Sequence, residues 1–176
     1  MNDNKLFKES EVFQKERPTK LTDTQETKFF LDMAKEIIDN GWSDSEPKSI
    51  ADDLAGLYLS SNGYEMAKEM ESGYGYYDIN TEFCEWLEGL DYERRKIIEK
   101  NVKSWVIAHD IKPQYTKGFK LKLSANLGMS FKAGDIVFIT GIRKYLAKYV
   151  IHSNIDYKGG FLYPYESVEP IAEIIT

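Results

Sequence analysis

Residues 159 to 171 read GGFLYPYESVEPI. Two glycines admit backbone conformations that side chains forbid, an aromatic and apolar run follows, and a proline then stands directly behind Tyr163. Such a stretch ends a small β structure, with GGFLY as one short strand and EPIAEII as another. The fold therefore turns on what precedes it.

Upstream, GFKLKLS alternates Phe119, Leu121 and Leu123 with Lys120 and Lys122, the period of two expected of a half-buried strand. GDIVFITGI and AKYVIHS are rich in β-branched and aromatic residues and read as two more strands. Five short strands in about sixty residues predict a small barrel. Pro113 marks its beginning, because a proline pushes the residue before it out of the helical region.

The run from Leu162 to Ile171 resembles the closing signature of SH3 domains, with an aromatic and a proline, a single 3₁₀ turn carrying Val168, and a last strand opening on an apolar residue. FKAGDIVFI, residues 131 to 139, is similar to the turn that opens the second strand of many SH3-like barrels. The resemblance covers residues 117 to 176, about a third of the chain, and implies an SH3-like barrel there. Peptide-binding members grip polyproline with an exposed tryptophan, and this chain has none after Trp105. Tyr163, Pro164 and Tyr165 stand where that family's binding aromatics fall, but packing of Tyr163 and Val168 in the barrel floor is the favoured reading.

Ahead of Pro113 the period is helical. In LTDTQETKFFLDMAKEIIDNG, Thr22 or Asp23 caps, Glu26 completes a capping box, Gly41 closes, and Phe29, Phe30, Met33, Ala34, Ile37 and Ile38 share a face. A second helix is expected from a Ser45 cap and Pro47, with Ile50, Leu54 and Tyr58 inward. A third holds Tyr64, Ala67 and Met70, and a fourth Phe83, Trp86, Leu87 and Leu90. The fifth, capped by Asp91, buries Ile98, Val102, Trp105 and Val106. The reading is an α+β chain: a flexible arm over 1–20, an acidic helical domain over 21–112 and the barrel over 114–176.

Charge divides the chain in the same way. The net charge of −6 comprises +1 over residues 1–20, −10 over 21–113 and +3 over 114–176. A single cysteine, Cys84, allows no intrachain disulfide, the charged start is unlike a signal peptide, and no run is long enough for a membrane span; these features predict a cytoplasmic protein with no membrane partner. HExxH, CxxC, GxGxxG, GKS/T and GxSxG are all missing. Cys84 reads as a buried inert thiol, His109 as a helix-end residue and His152 as an exposed strand residue. We therefore expect no catalytic residues, no metal and no cofactor.

The acidic block is the feature that points to a function. From Asp44 to Asp91 twelve acids face only Lys48 and Lys68. Glu82, Glu85 and Glu88 recur every three residues with no lysine at helical spacing, so they repel one another, a cost that a basic partner would offset. Tyr74, Tyr76 and Tyr77 lie in a glycine-containing loop beside the block. Asp52, Asp53, the three glutamates and these tyrosines form the expected binding surface for a basic protein, such as a nuclease. Small acidic proteins of this build, with an arm and an adaptor barrel, resemble accessory proteins of phages and mobile elements. The resemblance implies an inhibitor of a host nucleic-acid-handling enzyme, of the anti-CRISPR or anti-restriction kind. The alternative is a nucleic-acid-binding accessory protein using the barrel surface, with Lys120, Lys122, Lys148 and Tyr165, and further phosphate contacts from Lys117, Lys132, Arg143 and Lys144.

Overall fold

The computed structural model describes residues 17–59, 61–73 and 76–170. They form an α+β protein of four helices followed by a curled antiparallel sheet, a half-barrel. Contacts divide the described residues into two compact units: Thr19–Lys100, and residues 101–170 with Arg17 and Pro18. The period of the sequence changes at Pro113, whereas the contacts divide inside the last helix. Of the arm expected over 1–20, residues 1–16 lie outside the described residues.

In the helical unit, α1 spans Asp23–Asp39. Its cap is Thr22, whose hydroxyl accepts from the backbone of Gln25, while the Gln25 amide oxygen accepts from the Thr22 N–H. The box thus closes through Gln25, the third residue after the cap, and not through Glu26. Gly41, at φ +72°, follows the helix end. Helix α2, Pro47–Gly56, starts at its proline; the residue before it, Glu46, makes no side-chain cap bond, and Ser45 donates its own N–H to Ser43. Helix α3 is Gly63–Gly73, and Asn62 accepts from Glu65 N at its start.

Helix α4 runs unbroken over Thr81–Ala108, 28 residues, where the sequence suggested two helices. Asn80 accepts from Phe83 N at its beginning. Asp91 is no cap but a mid-helix residue, bound one turn on to Arg94 at 3.0 Å and Arg95 at 2.6 Å. Nothing between Leu90 and Tyr92 breaks a helix, and Gly89 alone costs about 1 kcal/mol, which burial of Leu87 and Leu90 outweighs. The core of this unit joins Phe29, Phe30, Ala34 and Ile37 of α1 to Ile50 and Leu54, Met66 and Met70, and Phe83, Leu87 and Leu90. Tyr58 and Tyr64, expected inward, are instead exposed.

The second unit keeps the end of α4, where Val102, Trp105 and Val106 are buried, and adds β1 (Lys120–Leu123), β2 (Ile136–Arg143), β3 (Lys148–His152), β4 (Phe161–Pro164) and β5 (Val168–Pro170). The order is β4-β3-β2-β1-β5, and every pair is antiparallel. A bulge at Thr140 shifts the β2–β3 register, and the Thr140 hydroxyl donates to the carbonyl of Gly159 at 2.7 Å. Gly160 sits at φ +146° with its backbone against Ile151, where a Cβ would meet the carbonyl oxygen at 2.4 Å. Residues 171–176, including Ile171 and most of EPIAEII, lie outside the described residues.

The inner face of the curl is filled by Leu121, Leu123, Val137, Ile139, Tyr149, Ile151 and Tyr163. Tyr149 is fully buried, and its hydroxyl accepts from the N–H groups of Gln114 and Tyr115, which pins the connector to the sheet. The Tyr163 hydroxyl donates to Ala125 O at 2.8 Å. Arg17 bridges Glu166 at 2.8 Å, donates to the carbonyls of Leu146 and Ala147, and stands over the ring of Trp105.

Candidate functional site

Helix α4 carries Glu82, Glu85 and Glu88, all exposed. A step of three residues turns a helix back by about 60°, so the three carboxylates spread over a band of about 120° rather than a single line. Farther along the same helix, two acids are matched, Asp91 with Arg94 and Arg95, and Glu93 with Lys96 at 2.7 Å, while Glu99 forms no ion pair among the described residues. Among the described residues, Glu82, Glu85 and Glu88 form no ion pair.

Helix α3 crosses this segment at close range. Its first residue, Gly63, has no space for a side chain, because a Cβ would stand 1.8 Å from the carbonyl oxygen of Cys84 and 3.2 Å from Glu88 N. The crossing thus brings the first residue of α3 against the turn from Cys84 to Glu88, and the next two residues, Tyr64 and Glu65, are exposed. Tyr64 was missed as a surface residue. Counting Gly63 as a core position would have revealed it, since 63, 66, 67 and 70 make the buried face and leave 64 outside.

The loop before α4 separates the predicted tyrosines. Tyr76 is 89% exposed, and Tyr74 lies outside the described residues. Tyr77 is buried, stacked on Phe83, with its hydroxyl donated to Asp53 at 2.5 Å. Burial first, and the Asp53 bond second, hold that hydroxyl protonated well above the usual tyrosine range. Tyr77 and Asp53 are thus an internal latch and not part of a binding surface: a ring stacked on Phe83, which itself packs against Trp42 and Trp86, gains more from the core than from water. Asp52, on the other side of α2, is exposed.

On the sheet, Lys120 and Lys122 are exposed and alternate with buried Leu121 and Leu123, as expected. Lys148 is half-buried on β3, in register with Arg143 and Pro164. Tyr165 is a correction. It is 3% exposed and packed on Tyr149 at 4.4 Å between ring centres, so it belongs to the interior and not to the barrel surface. Burial pushes its hydroxyl above the ordinary tyrosine range.

Cys84 is half-buried, and His109 packs edge-on to Trp105. Among the described residues no three His, Cys, Asp or Glu side chains group as metal ligands would, and no helix is long and apolar enough to cross a membrane. The sequence matches no protein-family model, and it has no significant match among curated proteins or solved structures.

Proposed function

We propose that this is a non-catalytic protein-binding protein whose acidic helical face grips a basic partner. The observation that carries the reading is the contrast within α4: Asp91 and Glu93 are matched by arginine or lysine one turn on, while the three consecutive acids Glu82, Glu85 and Glu88 are left to solvent. Carboxylates kept close together without counter-charges are a cost to the free protein, and neutralisation by a partner offsets it. The exposed Tyr64 and Tyr76 add rigid amphipathic area of the kind that anchors interfaces. Asp52 adds a further carboxylate.

A partner of matching chemistry is a protein with a phosphate-binding surface, which the carboxylates would occupy in place of nucleic acid. An inhibitor of a nucleic-acid-handling enzyme is the role that such a match supports. The strand order β4-β3-β2-β1-β5, with a 3₁₀ turn at Tyr165–Ser167 between β4 and β5, supports reading the sheet unit as an SH3-like barrel. Its two candidate groove aromatics, Tyr163 and Tyr165, are buried, which argues against a polyproline ligand.

The test is a pair of triple charge reversals. Replacing Glu82, Glu85 and Glu88 by lysine alters folding stability by about 1 kcal/mol at most, because all three are exposed. Binding to a partner captured at low salt weakens by about 1 to 3 kcal/mol for each close contact, much of it in association rate. The matching reversal of Lys120, Lys122 and Lys148 leaves that partner bound. Unchanged binding in the glutamate variant, with loss in the lysine variant, overturns the reading.

A further inference from the structure

We infer that the outward face of the sheet is a binding site for single-stranded nucleic acid, independent of the acidic face because it lies on the other unit. The five strands contain four cations, Lys120, Lys122, Arg143 and Lys148, against a single acid, Glu169, which stands in register with Lys122 on the edge strand β5. Strand alternation and register decide where they stand. Lys120 pairs with Phe138, and Phe138 with His152, so these three lie side by side across β1, β2 and β3 on the face opposite the core.

The row is an aromatic platform. The Lys120 ammonium lies 5.4 Å from the centre of the Phe138 ring. Beyond Phe138, His152 stacks on Tyr157, with 4.0 Å between ring centres and 18° between planes. Tyr157 still leaves 54% of its surface to water, and its edge rests on Gly159, where a Cβ would stand 3.0 Å from the ring. The remaining cations sit at the two ends of this platform: Lys122 beside Ile136, and Arg143 beside Lys148 after the bulge. Along β2 these ends are separated by about 20 Å, at about 3.4 Å per residue with one residue lost to the bulge.

Planar rings in the middle and cations at the margins are what unpaired bases and their phosphates require. A duplex hides its base faces and would use only the cations; an acidic peptide would do the same. Exposed Ile136 and Leu162 extend the apolar floor on which a splayed base can lie. Phe138 and His152 are separate in sequence and meet only through the β2–β3 register.

The experiment is a fluorescence-anisotropy titration of the full chain with labelled oligo(dT) and oligo(rU), a duplex of the same length and a poly-glutamate peptide. The single strands bind, and binding falls as salt rises. Tyr157→Ala weakens them at least about fivefold, the loss expected of one stacked base, while its thermal midpoint stays that of the parent. Lys120→Glu with Lys122→Glu weakens them about tenfold or more and reduces the salt slope by about 1.4. No single-strand binding at low salt overturns the inference. So does equal affinity for duplex or poly-glutamate together with indifference to Tyr157→Ala.

Discussion

At Gly63 the backbone itself is the contact. The residue has no unusual φ, so its requirement is space: the carbonyl of Cys84 occupies the position a side chain would need. Elsewhere in a helix, Gly→Ala stabilises by about 0.5 to 1 kcal/mol through propensity alone. Here Gly63→Ala must push α3 off α4, and a net loss of about 2 to 4 kcal/mol is expected, read as a lower urea midpoint with an unchanged slope. An unchanged or raised midpoint would show that the helices have room to part. Because the crossing holds the start of α3 against the turn from Cys84 to Glu88, the same substitution is expected to weaken partner binding more than Tyr64→Ala alone.

Among the elements, α4 is where sequence period and tertiary contact part company. Its first part belongs to the helical core, and its last, with Val102, Trp105 and Val106, to the sheet unit. A sheet fragment starting at residue 114 leaves out these three buried side chains and their apolar area, worth about 1.5 to 3 kcal/mol each when fully buried. A fragment of residues 101–176 is therefore expected to unfold cooperatively at a clearly higher temperature than 114–176, as followed by far-ultraviolet circular dichroism. Equal melting of the two fragments would place the working boundary at Pro113 after all.

For the molecule as a whole, buried tyrosines set the response to alkali. Tyr77 in the helical unit, and Tyr149 and Tyr165 in the sheet unit, all hold their protons above the ordinary tyrosine range, chiefly because burial penalises the phenolate. The unfolded chain loses these protons near pH 10, while the folded chain keeps them. Above that pH the folded state binds more protons than the unfolded one, so stability falls as pH rises. The slope is about 1.4 kcal/mol per pH unit for each such tyrosine. Urea midpoints are expected to be flat up to about pH 9 and to fall beyond it, with Tyr77→Phe lessening the fall in the helical unit. A flat profile to about pH 11 would mean that these hydroxyls reach water in the folded state.

The sequence by itself determined the order of the chain, helices before a small antiparallel sheet. Local period carries that information: Phe29, Phe30, Ala34 and Ile37 repeat at helical spacing, while Leu121 and Leu123 alternate with lysines. It also determined the charge division and the exposure of Glu82, Glu85 and Glu88, because a helix carrying Phe83, Leu87 and Leu90 inward must carry the glutamates outward. Tertiary structure alone decided which tyrosines face water. Tyrosine is amphipathic, and its place depends on whether a partner such as Asp53, or a ring such as Tyr149, waits inside. It alone decided, too, that Asp91 pairs within a continuous helix, and that Lys120, Phe138, His152 and Tyr157 form one row. Contacts between distant residues follow from strand register and helix crossing, and neither is written in any local stretch of the chain.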